Sequence, residues 1–195
     1  LIRILEEKSL EFKDIKKSGR THTRDAVPIT LGQEIKAYSS TLENARNRII
    51  KARENLQKLF LGGTAVGTGL NTHPEFSTSV VKKLRQYTGY GLSLAGDFIE
   101  KTQFMSDFQA LINCLSSLAL DLIKINNDLM LLSSGPKTGL KEISLPPVEP
   151  GSSIMPGKIN PSISESVNMV CCQVIGNRTV IERAVRSGTM DLNVY

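Results

Sequence analysis

The stretch 108–132, FQALINCLSSLALDLIKINNDLMLL, decides the fold of this chain. Its main apolar stripe is Phe108, Leu111, Leu115, Leu118, Leu122, Ile125, Leu129 and Leu132. These residues recur at alternating steps of three and four, which is the spacing of one face of an α-helix. A second stripe, Ile112, Ala119, Ile123 and Met130, lies beside the first. A helix that is apolar on two sides needs partners on both sides, so the stretch predicts the central helix of a bundle.

Two further segments repeat the same periodicity. Residues 33–60 carry it at Ile35, Tyr38, Leu42, Ala45, Ile49, Ala52, Leu56 and Leu59. After Pro161, which suits the first turn of a helix, it continues at Ile163, Val167, Val170, Val174, Asn177, Ile181 and Ala184. A shorter helix is predicted over 76–88, ended by Gly89. The expected fold is therefore an all-α bundle of long helices, and the excess apolar surface predicts an oligomer.

Composition narrows the class of protein. Of 195 residues, 40% are hydrophobic and 22% charged, as in a globular chain that buries a core. Uninterrupted apolar runs are shorter than the roughly 20 residues that span a bilayer, and the N-terminus LIRILEEKSLEFKD lacks a signal-peptide layout. No membrane association and a cytoplasmic location are therefore predicted. Three cysteines without C-x-x-C spacing, Cys114, Cys171 and Cys172, predict buried free thiols rather than disulfides or a zinc site.

The charge balance points to a small anionic ligand more than to nucleic acid. The formal net charge is +5, from 24 Lys and Arg against 19 Asp and Glu. The basic residues alternate with acids in segments such as ENARNRIIKARENLQK, and no aromatic residues lie between them to stack on bases. Nucleic-acid binding is therefore a minor hypothesis, and we predict no nucleic-acid partner.

The glycine-rich block LGGTAVGTGLN, residues 61–71, does not match the phosphate-binding motifs. Gly69 is followed by Leu70 and Asn71, where a P-loop requires Lys and Ser or Thr, and the third glycine of a dinucleotide fingerprint would fall on Thr72. The block predicts a tight turn between helices, with a backbone anion site as the alternative.

The two histidines differ in their surroundings. His73 precedes Pro74 at an expected helix start, which favours a cap or turn role. His22 lies in RTHTRDAVP, and a histidine in a polar loop can shuttle protons or donate to a substrate. A solvated loop histidine is the alternative for His22.

The most specific stretch is EPGSSIMPGKINP, residues 149–161. Gly151 and Gly157 bracket a loop that is predicted to be mobile, Ser152 and Ser153 supply adjacent hydroxyls, and the side chains of Lys158 and Asn160 point the same way in an extended chain. The positive end of the helix that follows would favour a bound anion. The alternative for this stretch is an ordinary linker with a solvated lysine. Glu165, in the first turn of the helix that follows, is by default a surface acid.

These motifs resemble the fumarase/aspartase superfamily. GSSIMPGKINP is nearly identical to the signature GSSxMPxKxNP, and GRTHTRDAVPITLGQE and GGTAVGTGLNT are similar to two further blocks. The resemblance covers essentially all 195 residues. It implies a helical homotetramer with composite active sites, a small dicarboxylate substrate, and no cofactor or metal. For a eukaryotic fumarase it would imply the mitochondrial matrix instead of the cytoplasm.

The resemblance also implies a division of the chain. Residues 1–195 would belong mostly to the central helical-bundle domain, with the N- and C-terminal domains of the full protein outside this chain. Its parts are a first helix and histidine loop over 1–32, long helices over 33–134, a flexible Gly/Pro active-site loop over 135–161 and a helix over 162–185.

Site residues carry over by position. Ser152 resembles the base that removes the Cβ proton, and Lys158 and Asn160 resemble ligands of the substrate carboxylate. Thr21 and His22 resemble substrate-binding residues supplied by another subunit. The remaining counterparts are Glu165, which matches the acid paired with that histidine, and Asn71 and Ser153, which match substrate contacts.

The implied reaction is anti β-elimination from a four-carbon dicarboxylate to give fumarate. DFIEKTQ, LLSSGP, SVNMV and QVIGN are more similar to aspartases, so L-aspartate is the preferred substrate. GGTAVGTGLNT, EPGSS and THT resemble fumarases, which keeps class II fumarase as an alternative. Met130 and Lys137 stand where both families usually have arginine, and residues 189–191 replace a glutamate-containing segment. A catalytically inactive structural member of the fold is therefore a third hypothesis.

Overall fold

A computed structural model describes all 195 residues, and it is mostly α-helical. The elements are α1 (Ile2–Glu11), β1 (Lys16–Thr21), β2 (Arg24–Thr30), α2 (Leu31–Leu56), β3 (Lys58–Leu59), α3 (Phe76–Thr88), β4 (Ser93–Leu94), α4 (Phe98–Gln103), α5 (Ser106–Leu132) and α6 (Ser162–Val185). The strands form two small pairs, β1 with β2 and β3 with β4. The predicted helical fold is therefore confirmed.

The long helices begin and end close to the predicted residues. α5 and α6 match their predicted segments, and α3 covers 76–88 and ends at Gly89, whose φ of 69° is left-handed. The prediction for α2 was wrong at its C-terminal end. The helix stops at Leu56 rather than at residue 60, because Lys58 and Leu59 pair in parallel with Ser93 and Leu94.

The chain divides into two compact units. The first contains residues 1–47 and 120–169, and the second contains residues 48–119 and 170–195. Parts of α2, α5 and α6 belong to each unit.

In the first unit, α5 contacts a helix on either side. Tyr38 Oη of α2 donates to Asp128 Oδ2 of α5 at 2.6 Å, and burial together with this bond raises the pKa of Tyr38. Asn168 Nδ2 of α6 donates to Asn127 Oδ1 of α5 at 3.0 Å. The buried apolar core of this unit consists of Leu31, Ile35, Leu42, Ala45, Ile125 and Leu132.

In the second unit, α5 is again joined to α6. Arg178 Nε of α6 donates to Asn113 Oδ1 of α5 at 3.1 Å. Ile112 and Ala119 of α5 are buried there, as is Cys171 of α6. The predicted central position of this helix is thus supported within each unit.

The predicted apolar face of α6 was partly wrong. Ile163 and Val170 are 59% and 64% exposed, whereas Ser164 and Cys171 are buried. The helix is apolar on more than one side. The side that packs against its own chain contains Ser164 and Cys171, each one residue after the predicted Ile163 and Val170. Ile163 and Val170 consequently lie on an outward apolar face.

The prediction of buried thiols holds for one cysteine of three. Cys171 is buried, and burial raises the pKa of its thiol. Cys114 is half-buried and Cys172 is exposed. The prediction for Cys172 was wrong because neighbouring residues of a helix point about 100° apart, which turns Cys172 outward.

α5 also has the length and mean hydropathy of a membrane-crossing helix. The helix has 27 residues, and an 18-residue stretch of it reaches a mean hydropathy of 1.4, with 22% of that stretch buried inside the chain. The sequence prediction counted uninterrupted apolar runs and so did not identify this helix. Core helices of soluble proteins can have the same length and mean hydropathy. These two properties therefore do not distinguish a membrane-spanning helix from a core helix.

Candidate active site

The stretch 149–161, here called the serine loop, folds back on itself. The Ser152 N–H donates to Lys158 O at 3.1 Å, and the Lys158 N–H donates to Met155 O at 3.1 Å. Gly151 has a φ of 84°, and a Cβ on it would lie 2.6 Å from Lys158 O. Glycine is therefore required where the two arms of the loop meet.

Two backbone amides point at the Ser152 hydroxyl. The Ile154 and Met155 N–H groups donate to Ser152 Oγ at 3.4 and 3.2 Å. Donors aimed at an oxygen favour its negatively charged form. Ser152 is half-buried, whereas Ser153 is exposed. The loop thus supplies the kind of environment in which a serine oxygen can accept a proton.

Lys158 and Asn160 point the same way, as their spacing predicted. Lys158 Nζ donates to Asn160 Oδ1 at 2.8 Å. The lysine supplies a positive charge, and the Asn160 amide NH₂ remains able to donate to a ligand. Together they form a cationic, hydrogen-bonding pair suited to a carboxylate.

A cavity of about 850 Å³ lies beside this pair in the first unit. The predicted site residues that line it are Lys158, Asn160 and Glu165. Glu165 lies in the first turn of α6, where its N–H donates to Pro161 O at 3.1 Å. The other lining residues are Met130, Ser133, Ser134, Gly135, Pro136, Lys137, Thr138, Lys141, Leu145, Pro156, Gly157, Ile159 and Pro161. The structure therefore brings Lys158, Asn160 and Glu165 together in one cavity. Met130 and Lys137, which stand where arginine is usual, line the same cavity.

Thr21 and His22 lie outside this cavity. Strands β1 and β2 form an antiparallel hairpin in which Thr21 pairs with Arg24. His22 and Thr23 form its two-residue turn, with φ of 54° and 59°, as in a type I′ turn. Both Thr21 and His22 are exposed. The predicted histidine loop is thus the tip of a hairpin that presents the imidazole to the outside of its own chain.

Three more predicted residues are also absent from the cavity lining. Ser152 and Ser153 lie on the far arm of the serine loop. Asn71 belongs to the second unit, where it is exposed and has a φ of 65°. His73, predicted as a turn residue, accepts a hydrogen bond from the Glu75 N–H at Nδ1, at 3.2 Å. Its predicted role is supported.

A cluster of four charged residues, which the sequence analysis missed, connects the hairpin to the chain around it. Lys17 Nζ lies 2.8 Å from Glu34 Oε1 and 3.1 Å from Glu142 Oε2, and Arg20 Nη2 lies 2.5 Å from Glu142 Oε1. The Arg20 hydrogen bond lowers the pKa of Glu142 below its ordinary value of 4.5. This ion-pair cluster holds the hairpin against α2 and against the segment after α5.

No sequence signal identified the ion-pair cluster, because its members are far apart in the chain and each has an ordinary surface residue type. Lys141 was missed for a related reason. It has a φ of 51°, a conformation that a sequence reader expects of glycine or asparagine. Only the folded backbone shows that this lysine lines the cavity.

The chain is similar in sequence to known lyases. A family model described as lyase matches residues 1–176. Aspartate ammonia-lyase of Escherichia coli (strain K12) is 49% identical over 189 residues, which are 97% of this chain and 40% of the relative. Fumarate hydratase class II of Helicobacter pylori is 45% identical over 195 residues, which are 100% of this chain and 42% of the relative.

Solved structures of similar proteins share the fold. A fumarate lyase:delta crystallin from Brucella melitensis, bound to cobalt, has a TM-score of 0.94 at 45% identity, over 100% of this chain and 42% of that one. Class II fumarase from Schistosoma mansoni has a TM-score of 0.92 at 38% identity, over 99% of this chain and 43% of that one. The chain spans about two-fifths of the length of these proteins.

Proposed function

Because the chain belongs to the fumarase/aspartase superfamily of lyases, we propose that the whole protein eliminates ammonia from L-aspartate to give fumarate, reversibly and with anti geometry. The carrying observation is the Ser152 oxygen, which faces two amides on the loop that also bears Lys158 and Asn160. Relatives named aspartate ammonia-lyase share 44–49% of the matched residues and the fumarate hydratase class II relatives share 45%, so the preference for aspartate rests on the upper end of this range.

The first step is proton removal from the Cβ carbon by Ser152. A serine hydroxyl has too high a pKa to supply a base unless its alkoxide is stabilised, and the Ile154 and Met155 amides offer such stabilisation. After the hydroxyl proton has been released to solvent, the Ser152 alkoxide takes the proton from the substrate carbon onto Oγ. The electron pair left behind delocalises into the neighbouring carboxylate.

Lys158 and Asn160 act on the charge that develops. Loss of the Cβ proton leaves a dianionic aci-carboxylate, and preorganised cations and donors lower the energy of such an intermediate. Lys158 and Asn160 are already hydrogen-bonded to each other, so they need little reorganisation to receive a carboxylate. Collapse of the intermediate expels the amine from Cα and forms the double bond of fumarate.

His22 and Glu165 complete the site across a subunit boundary. His22 is exposed at the tip of a hairpin, and Glu165 lines the cavity without a hydrogen-bonded side chain, so each is available to another chain. An imidazole beside a carboxylate can bind substrate and move protons near neutral pH. We therefore place the His22 of one chain, together with Thr21, at the cavity of another, with Asn71 and Ser153 as further substrate contacts.

We propose a homotetramer with composite sites, because a site that takes His22 from another chain requires an oligomer. The outward apolar face of α6 includes Ile163, Met169, Val170 and Val180, which are 59–70% exposed. Apolar surface of this extent favours burial against other helices. The serine loop also exposes Ile154, at 81%, which suits a flap that closes over bound substrate and excludes water. A cytoplasmic location completes the proposal.

Two alternatives rest on specific observations. Fumarate hydratase of Helicobacter pylori matches all 195 residues at 45% identity, which favours water as the leaving group. Met130 and Lys137 line the cavity where the family usually has arginine, which favours a structural member without activity.

Product identification tests the three functions together. The full-length protein is incubated with fumarate plus ammonium, and separately with fumarate in water, and the products are separated by chromatography. We expect aspartate in the first mixture and no malate in the second. Malate formation would select the hydratase, and absence of both products from an intact oligomer would select the structural member.

A further inference from the structure

The hairpin that carries His22 contributes no residue to the buried core. Every residue of β1 and β2 is half-buried or exposed, and the first buried residue after the hairpin is Leu31. Backbone bonding holds the hairpin where it joins the helices, because the Leu31 N–H donates to Ile15 O at 2.9 Å. A two-stranded hairpin is at best marginally stable by itself. Its direction beyond this junction therefore depends on polar contacts.

A β-bulge divides the hairpin into two halves. Ser18 pairs with Pro28 and Arg20 pairs with Asp25, so two steps along β1 correspond to three steps along β2. We call the part between the bulge and the helices the base half, and the part from residue 20 to residue 25, which includes the turn, the tip half. A bulge bends its strand and re-aims the side chains beyond it. Contacts of the base half therefore do not determine where the tip half points.

The two cations of the ion-pair cluster lie in different halves. Lys17, in the base half, has its Nζ 2.8 Å from Glu34 Oε1 and 3.1 Å from Glu142 Oε2. Arg20 is the first residue of the tip half, and its Nη2 lies 2.5 Å from Glu142 Oε1. Within the tip half, Arg20 Nε also lies 3.5 Å from Asp25 Oδ1. Glu142 thus connects the tip half to the rest of the chain, whereas Glu34 holds the base half.

Glu142 is itself firmly placed. Its N–H donates to Leu132 O, at the last residue of α5, at 2.8 Å. Both oxygens of its carboxylate are engaged, one by Arg20 and one by Lys17, and the side chains of Glu142 and Arg20 are each 22% exposed. Charge-assisted bonds with limited access to solvent are stronger than exposed ion pairs. The end of α5 therefore presents a fixed anion to Arg20.

We propose that Glu142 is a positioning residue for His22, because through Arg20 it fixes the direction in which the tip half presents the imidazole to the cavity of another chain. His22 is two residues from Arg20 and lies in a tight two-residue turn, so a displacement of Arg20 displaces the imidazole. The part that His22 takes in the reaction rests on the proposed function. Glu142 contacts no substrate in this role.

Matched substitutions in the full-length protein separate positioning from stability. Glu142→Gln should lower kcat for fumarate formation about 10- to 100-fold, because misplacement of a reacting group by about 1 Å has an effect of this size. Glu34→Gln removes the matching charge of the base half, so it should lower the Tm but leave kcat nearly unchanged. Equal losses of kcat in the two variants would overturn the proposal.

A double-mutant cycle tests whether Glu142 acts through Arg20. Arg20→Gln should lower kcat as much as Glu142→Gln does, and the protein with both substitutions should lose no more than either single variant. Losses that multiply in the double variant would show that the two residues act independently, which contradicts the proposal.

Mixed oligomers test which half of the site Glu142 serves. Full-length His22→Ala and Ser152→Ala chains, refolded together, form sites in which the first chain supplies the serine loop and the second supplies the hairpin. Glu142→Gln added to the Ser152→Ala chain should lower the restored activity about 10- to 100-fold. The same substitution in the His22→Ala chain should leave that activity nearly unchanged. The reverse result, or equal losses in both placements, would reject Glu142 as a positioning residue for His22.

Hydrogen exchange distinguishes a failure of this proposal from a failure of the proposed function, because it needs no turnover. Glu142→Gln should speed amide exchange in the tip half, whereas Glu34→Gln should speed it mainly in the base half. If verified mixed oligomers without Glu142→Gln stay inactive, the composite site fails, but faster exchange confined to the tip half still supports Glu142 as its anchor. If they are active and tip-half exchange in Glu142→Gln is unchanged, the role of Glu142 alone is rejected.

Discussion

The Ser152 hydroxyl differs from that of its neighbour in what surrounds it. Two amide donors lie 3.2 and 3.4 Å from Ser152 Oγ, whereas the Ser153 hydroxyl is exposed and hydrogen-bonded to nothing in the chain. Two adjacent serines in one loop are therefore chemically unequal. Distances above 3 Å leave room for both bonds to shorten when the loop closes and the oxygen becomes charged.

This inequality gives a prediction for paired substitutions in the full-length protein. Ser152→Ala should lower kcat for fumarate formation by about 10²- to 10⁴-fold, the usual contribution of a general base. Ser153→Ala should mainly raise KM, because Ser153 is proposed to contact substrate without taking the proton. Absorbance of fumarate in the ultraviolet measures both, and size-exclusion chromatography checks that the oligomer is intact. Undiminished turnover of Ser152→Ala would reject Ser152 as the base.

At the scale of elements, the sequence predicted helices well and strands poorly. The α5 stripe from Phe108 to Leu132 identifies a helix because apolar spacing reports which face is buried. The segment Lys16–Thr21 has no such alternation, and the β1–β2 hairpin is held by the ion-pair cluster rather than by an apolar face. Hydrophobic periodicity cannot reveal an element whose tertiary contacts are ionic. The common orientation of Lys158 and Asn160 was predictable because it depends on local spacing in the chain, whereas the ion-pair cluster beside the His22 hairpin joins residues that are far apart in sequence.

The ion-pair cluster predicts how the stability of the hairpin depends on pH. Arg20 lowers the pKa of Glu142 below 4.5 in the folded chain. A lowered pKa means that the carboxylate stabilises the fold above the unfolded-state pKa, and that this stabilisation is lost as the pH falls through the folded-state value. Glu142→Gln should therefore be less stable at pH 7, with a shallower loss of stability in acid. Urea titrations at several pH values measure this, and faster hydrogen exchange at the Arg20 and Thr21 amides would localise it.

A surface pair on α2 provides the control for this prediction. Glu43 accepts from Arg46 Nη1 at 2.9 Å, but the two side chains are 41% and 60% exposed. Exposed pairs contribute little to stability, so Glu43→Gln should leave the urea titration and its pH dependence nearly unchanged. Equal effects of the two substitutions would show that the cluster holds the hairpin no more firmly than a solvated ion pair does.

At the scale of the whole molecule, this chain carries two parts of the proposed site, here called its halves, at separate places. The cavity collects Lys158, Asn160 and Glu165, while His22 is presented on an exposed turn. The sequence identified both halves as motifs. Which chain supplies each half depends on subunit surfaces, and local spacing carries no information about them. The outward apolar face of α6 provides a surface on which other subunits can pack.

Mixed oligomers test whether the two halves come from different chains. Full-length His22→Ala and Ser152→Ala proteins should each be inactive as pure oligomers. When they are unfolded and refolded together, a site can combine the intact serine loop of a His22→Ala chain with the intact hairpin of a Ser152→Ala chain. With equal amounts and random assembly, each half is intact with a probability of about one half. About one quarter of the unsubstituted activity should therefore return.

The control replaces one partner so that no intact hairpin is present. A mixture of His22→Ala with the double variant His22→Ala, Ser152→Ala should stay inactive, although it forms the same oligomers. Differently tagged chains that purify together establish that mixing has occurred. If verified mixed oligomers of the two single variants remain inactive, the hairpin and the serine loop of each site belong to one chain, and the exposed position of His22 then requires the hairpin to swing toward its own cavity. A return of activity instead makes assembly a condition of catalysis, because a separated chain would have the base and the carboxylate ligands without the imidazole.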